Sequence, residues 1–267
     1  MRPDMTPTTV SRTINPLWDL VRTCEAERGI SDDDDDRWHP EMTPALRLLR
    51  LCDRDPSQRD RDWSSYLARS RNEVVRKFSW AISDPDTVDF VAEHATGNDH
   101  RGVVEVGAGT GYWAYQLAQC GVDVLAYDLA PPYQTANDYH WVLPPEPPST
   151  TRLGAEPAAA VPQRVRQLLP ATDMFFDVQP AAAAEAAAAH PERSLLICWP
   201  PLETPMGTEA LTHYQGNRVI YLGEPEGGAC ADDAFFAQLD EQWTVRAKHQ
   251  GVTWSFLHDL VIVYDRT

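Results

Sequence analysis

Val103-Val104-Glu105-Val106-Gly107-Ala108-Gly109-Thr110-Gly111-Tyr112-Trp113-Ala114 is the stretch that decides the fold. A β-branched apolar run ends in three glycines at alternate positions and passes into helix formers, which reads as strand, tight turn and helix start. Glycine suits such a turn because it accepts positive φ without strain and lets a ligand approach bare backbone. The turn is therefore expected to hold a cofactor.

The spacing narrows which one. A dinucleotide fingerprint runs G-x-G-x-x-G, whereas here the glycines fall as G-x-G-x-G and Tyr112 takes the third dinucleotide position, which argues against NAD or FAD. Beyond the helix comes Val122-Asp123-Val124-Leu125-Ala126-Tyr127-Asp128, a second apolar strand with Asp128 at its C-terminal end. A carboxylate there is placed to accept both hydroxyls of a ribose.

With E-x-G-x-G-x-G, a helix, a second strand and a terminal Asp in order, the chain from about 103 to 267 resembles the class I S-adenosylmethionine-dependent methyltransferases. The resemblance implies a Rossmann-like α/β fold: a mostly parallel seven-stranded sheet with an antiparallel last strand. It also implies that Glu105 lies near the methionine ammonium, that Gly107, Ala108, Gly109 and Gly111 pass under the cofactor, and that Asp128 holds the ribose. Leu129, Cys198 and Trp80 complete the expected cofactor set.

Composition bounds the rest. The 267 residues are 43% hydrophobic, enough for a packed core. Forty acidic against 23 basic residues leave a formal net charge of -17 with no Lys/Arg cluster, so a nucleic-acid partner is not expected. No apolar stretch approaches the roughly 18 residues of a membrane span, and the N-terminus lacks a secretory apolar core, so no membrane partner and a cytoplasmic location are expected. Five dispersed cysteines without C-x-x-C fit a reducing compartment, and the eight histidines show no ligand spacing, so no metal is expected.

Residues 1–83 read as an N-terminal helical cap. Helices are expected over 14–27, from Thr43 and Pro44 through Leu51, and over 62–80, with the five carboxylates of Asp32–Asp36 as a solvated loop. Residues 84–267 read as the Rossmann-like domain, entered by a helix that Asp84 caps and Pro85 starts. Six prolines between 131 and 148 preclude regular structure, so about 131–170 reads as an insertion leaving the ligand-binding edge of the sheet. Asn137, Tyr139 and His140 on it are candidates for the substrate site, beside Trp141. Further on, strands are expected at 174–178, 194–198, 217–224, 243–249 and 260–264, and helices at 181–189, 203–214 and 232–239.

The fourth strand ends in Cys198-Trp199-Pro200-Pro201-Leu202. Amine-directed methyltransferases carry Asp/Asn-Pro-Pro-Tyr/Phe there, and this chain resembles the motif only in its Pro-Pro pair. Trp199 in place of the acid or amide argues against methylation of nucleic-acid bases or glutamine and makes the indole a site candidate. Possible bases are His140, Tyr139 and Glu203. A small, enclosed acceptor, a natural-product intermediate or amino-acid derivative, fits the cap and loop. Two other readings stay open: intramolecular cyclisation of the cofactor's aminocarboxypropyl group to an azetidine, releasing methylthioadenosine, and a non-catalytic cofactor-binding subunit. The oligomeric state is open.

Overall fold

The structure is a computed structural model that describes residues 14–19, 75, 77–96, 100–132, 174–254 and 257–267. The expected helices over 43–51 and most of 14–27 and 62–80, the run Asp32–Asp36, and the insertion beyond Pro132 lie outside the described residues, as do Asn137, Tyr139 and His140.

The elements run α1 (Pro85–Ala95), β1 (Val103–Val106), α2 (Tyr112–Gln119), β2 (Val124–Asp128), β3 (Val178–Pro180), α3 (Ala183–Ala189), β4 (Ser194–Cys198), α4 (Met206–His213), β5 (Arg218–Gly223), α5 (Asp233–Gln242), β6 (Trp243–His249) and β7 (Leu260–Arg266). They form one seven-stranded sheet in the order β3-β2-β1-β4-β5-β7-β6. Strands β1 to β5 pair in parallel, and β7 runs antiparallel to both β5 and β6. This is the Rossmann-like methyltransferase fold that the glycine motif implied, with its single antiparallel last strand.

Alternation along the strands explains the two layers of helices. Val104, Val106, Leu195, Ile197, Val219 and Tyr221 pack to one side with α3, α4 and α5. Val103, Leu196, Ile220, Leu222, Val261 and Val263 pack to the other with α1 and α2. Successive side chains of a strand point to opposite faces, and a parallel sheet covered on both faces needs apolar residues at every position. Strand β1 is buried at all four positions and meets this at Val103, Val104 and Val106, with Glu105 the exception. It is also the strand from which the chain goes first to β2 on one side and later to β4 on the other. Ligands bind outside the carboxyl ends of strands at such a switch point.

Helix α1 starts as its sequence dictates: Asp84 accepts from the Thr87 backbone N–H at 3.1 Å, with Pro85 at the first helical position. Three boundaries differ from expectation by three residues or more. Residues 174–177 are not strand, and β3 is only Val178–Pro180. The aromatic residues there pack across the first turn of α2 instead, with Phe175 against Tyr112 and Phe78, and the Phe175 N–H donates to the Thr110 carbonyl at 2.9 Å. The helix expected from 203 begins at Met206, because Glu203 sits at φ 56°, outside helical space. The helix expected to end at Leu239 runs on to Gln242.

Candidate functional site

Where the C-terminal ends of β1, β2 and β4 meet, a cleft of about 540 Å³ opens. Its floor is the glycine turn. Gly107, Gly109 and Gly111 all have φ between 54° and 73°, the left-handed region that other residues enter only with strain. Gly107 and Ala108 line the cleft, and a Cβ on Gly107 would come within 2.7 Å of the Met206 methyl across it. Gly111 does a different job, since a Cβ there would lie 2.7 Å from that of Phe176 and 2.9 Å from a Val178 methyl. Gly109 and Gly111, also expected to pass under a cofactor, shape the turn and are not among the residues that line the cleft.

The turn is held by its neighbours. The Ala108 N–H donates to the Tyr127 carbonyl, and the Gly109 N–H donates to Asp128 Oδ2, both at 2.9 Å. Asp128 Oδ1 accepts from the Ala130 N–H at 2.9 Å, so both carboxylate oxygens are engaged at the end of β2, and Asp128, Leu129 and Ala130 line one end of the cleft. Leu129 is 78% exposed, an apolar lip at the mouth.

Glu105 lies on β1 with 2% of its surface exposed, yet it lines the cleft. Its Oε2 has no hydrogen-bond partner among the described residues. Burial pushes its carboxyl up to about 8, opposed by a backbone hydrogen bond at Ala114 and reinforced by the Asp128 charge. A buried acceptor left without a donor is costly in the ligand-free protein and marks where a cationic donor would be welcomed.

The roof is the segment Phe78-Ser79-Trp80. Thr110 Oγ1 donates to the Phe78 carbonyl at 2.7 Å, and Trp254 Nε1 donates to the Trp80 carbonyl at 2.9 Å, so both ends of the roof are tied to the core. Residues 14–19 brace it from behind: Tyr112 Oη donates to Asn15 Oδ1 at 2.6 Å, and Asn15 Nδ2 donates to the Ser83 carbonyl.

The far wall follows β4. Cys198 and Trp199 line the cleft, and burial raises the Cys198 thiol well above its ordinary range, so it stays protonated. Trp199 stacks on Trp80 with ring centroids 5.5 Å apart and planes 27° from parallel. Its backbone has φ 49°; the other non-glycine residues with positive φ among those described are Glu203 at 56° and Ala231 at 58°. All three belong to one small structure in which Pro201 bridges to Cys230, the Ala231 N–H donates to the Pro200 carbonyl and the Glu203 N–H donates to the Ala231 carbonyl. Strain gathered at one site, on the cleft wall, is the kind that surrounding structure sustains for a functional geometry. Glu203 itself is exposed and does not line the cleft, which removes the candidate base nearest to Trp199 in sequence.

Of the expected site residues, Glu105, Gly107, Ala108, Asp128, Leu129, Cys198, Trp199 and Trp80 thus come together around one cleft. Trp113, Met206 and Leu257 also line it and were not anticipated. Trp113 and Met206 each sit in the first turn of a helix that follows a cleft-forming strand, a position that is a usable signal in this fold. Among the described residues no three His, Cys, Asp or Glu side chains gather as metal ligands, and no helix is long and apolar enough to cross a membrane.

No protein-family model and no curated protein sequence matches the chain. Among solved structures it is similar to the magnesium protoporphyrin IX methyltransferase of Synechocystis PCC 6803 with bound SAH (14% identity, 78% of this chain and 97% of that one, TM-score 0.40). It is also similar to a putative tRNA (m1A22) methyltransferase of Streptococcus pneumoniae (12%, 69% and 71%, TM-score 0.38). A third is a TehB-like SAM-dependent methyltransferase of Corynebacterium glutamicum (13%, 67% and 86%, TM-score 0.36).

Proposed function

We propose that the protein is a cytoplasmic S-adenosylmethionine-dependent methyltransferase acting on a small molecule. The observation that carries this reading is the buried Oε2 of Glu105, without a partner among the described residues, on the same cleft as Asp128, with the glycine turn between their strands. An amino-acid ammonium answers the first carboxyl, a ribose answers the second, and a bulky nucleoside needs the open backbone at Gly107. When bound, S-adenosylmethionine supplies an electrophilic methyl on a sulfonium that is its own leaving group.

The chain's own contribution is positioning. Glu105 and Asp128 anchor the amino-acid end and the ribose of the cofactor, and the roof and far wall flank the sulfonium between them, the conditions under which alignment alone removes several kcal/mol of barrier. Trp199 and Trp80 offer aromatic faces to a cation, an attraction of about 1 kcal/mol or more when desolvated. No Lys, Arg or His is among the described lining residues, which favours an acceptor whose enclosed part carries no negative charge. Together with the net charge of -17 this supports a small organic acceptor over a polynucleotide. The dispersed cysteines, with Cys120, Cys198 and Cys230 free, support a reducing compartment.

The test is calorimetric titration with S-adenosylhomocysteine, then incubation with S-adenosylmethionine and a panel of small acceptors, with products followed by mass spectrometry. Binding that Glu105→Gln abolishes, and S-adenosylhomocysteine formed only with an acceptor, establish the reading. Methylthioadenosine with a cyclic amino acid would replace it with the cyclase, and absence of binding would sink it.

A further inference from the structure

Among the described residues, two buried polar atoms of opposite character on the cleft lining have no hydrogen-bond partner. One is Oε2 of Glu105, an acceptor; the other is Nε1 of Trp113, a donor on a side chain only 2% exposed. Both residues line the cleft. Glu105 stands on β1 and Trp113 in the first turn of α2, the helix that the glycine turn joins directly to β1.

A native core seldom leaves a buried indole N–H unmade, and one lining a cleft beside an equally unmade carboxyl oxygen is best satisfied by a ligand that carries both complements. That ligand end needs a cation with N–H donors and, next to it, an anionic acceptor. An α-amino acid in its zwitterionic form has both on one carbon. The first turn of α2 adds a favourable field for the anion: Gly111 caps the helix with no side-chain hydrogen bond and no acidic residue follows, so the positive end of the helix dipole is not neutralised locally.

We propose that Trp113 is a second binding residue for the amino-acid end of the cofactor, its indole N–H donating to the carboxylate while Glu105 accepts from the ammonium. This rests on reading the cleft as the S-adenosylmethionine site and extends it to a residue the glycine motif does not identify. The pair discriminates: a nucleoside thioether without the amino acid leaves both atoms unpartnered and is bound more weakly. It thereby sets selection against methylthioadenosine, the nucleoside thioether that lacks the amino acid.

The experiment compares three ligands on wild type and on Trp113→Phe by calorimetry: S-adenosylhomocysteine, its decarboxylated analogue 5′-(3-aminopropylthio)-5′-deoxyadenosine, and 5′-methylthioadenosine. Loss of one hydrogen bond to a carboxylate is expected to weaken S-adenosylhomocysteine about tenfold and to leave the other two within about twofold. Site-specific replacement of Trp113 by 3-benzothienylalanine, which keeps the bicyclic shape and puts sulfur where the N–H stood, repeats the comparison should Trp113→Phe fail to fold. Equal weakening of all three ligands would overturn the proposal and reduce Trp113 to packing, as would unchanged S-adenosylhomocysteine affinity. Wild type binding none of the three would instead remove the cofactor reading, and the role of Trp113 with it.

Discussion

The Gly109 backbone N–H donates to Oδ2 of Asp128 at 2.9 Å, which ties the glycine turn after β1 to the end of β2 before any ligand arrives. With the second bond from the Ala130 N–H, the Asp128 carboxylate is oriented from both sides. Asp128→Ala removes both backbone–carboxylate bonds. It is expected to lower unfolding free energy by about 1–2 kcal/mol and to weaken S-adenosylhomocysteine at least tenfold. Denaturant melts and calorimetry read the two effects separately, and affinity equal to wild type would remove Asp128 from the site.

Glu105 makes the site pH-dependent, with a definite sign. Its carboxyl is raised from 4.5 to about 8, so the ligand-free folded protein holds a proton that the unfolded chain has released between those values. Stability is then retained below about pH 4.5 and falls as pH rises to about 8. Glu105→Gln abolishes that loss, so the ligand-free variant should melt several degrees above wild type at pH 8.5, with the gap closing toward pH 5. A cationic ligand partner restores ionisation in wild type, so binding at pH 7 should release close to one proton, measurable by calorimetry in buffers of different ionisation enthalpy. Release near zero would mean that no cation meets this carboxyl.

Much of this was legible in the residues themselves, and the exceptions have physical causes. Val103–Val106 reads as a strand because each residue meets an apolar layer, and Glu105 stands out because a carboxyl in such a run needs a reason. Phe175 and Phe176 mislead because an apolar aromatic run has no periodicity that tells a ladder from a side-chain latch over α2. Gly111 reads like Gly107, and only the positions of Phe176 and Val178 separate a packing glycine from a cleft-facing one. Trp113 looks like core, which it also is. Its orphaned N–H is a property of its surroundings, and no motif records it.

Trp199 turns into the cleft from a left-handed backbone and stacks on Trp80. If the stack shapes the reacting space, Trp199→Ala should lower kcat by one to two orders of magnitude while S-adenosylhomocysteine affinity changes less than threefold. Trp80→Ala should act in the same direction, and the double variant should fall short of the product of the two, because the rings support one another. Unaltered turnover would leave the pair as packing.

The glycines separate the fold from the ligand most directly. Alanine at either Gly107 or Gly111 incurs the cost of left-handed φ, roughly 1–2 kcal/mol, so both variants lose some stability. At Gly111 the added methyl also meets Phe176 and Val178, the first through its Cβ, which cannot swing aside. Gly111→Ala should therefore destabilise by about 1–3 kcal/mol more than Gly107→Ala, the usual range for overpacking a tight core. At Gly107 the methyl meets only the flexible end of Met206, but it stands in the cleft itself. Gly107→Ala should hence weaken S-adenosylhomocysteine more than Gly111→Ala does, although it is the more stable of the two. The reverse order in melts would mean that Phe176 and Val178 yield to a methyl at Gly111, and the reverse order in titrations would mean that the ligand runs beneath Gly111, as the glycine motif alone suggests, and not along Gly107.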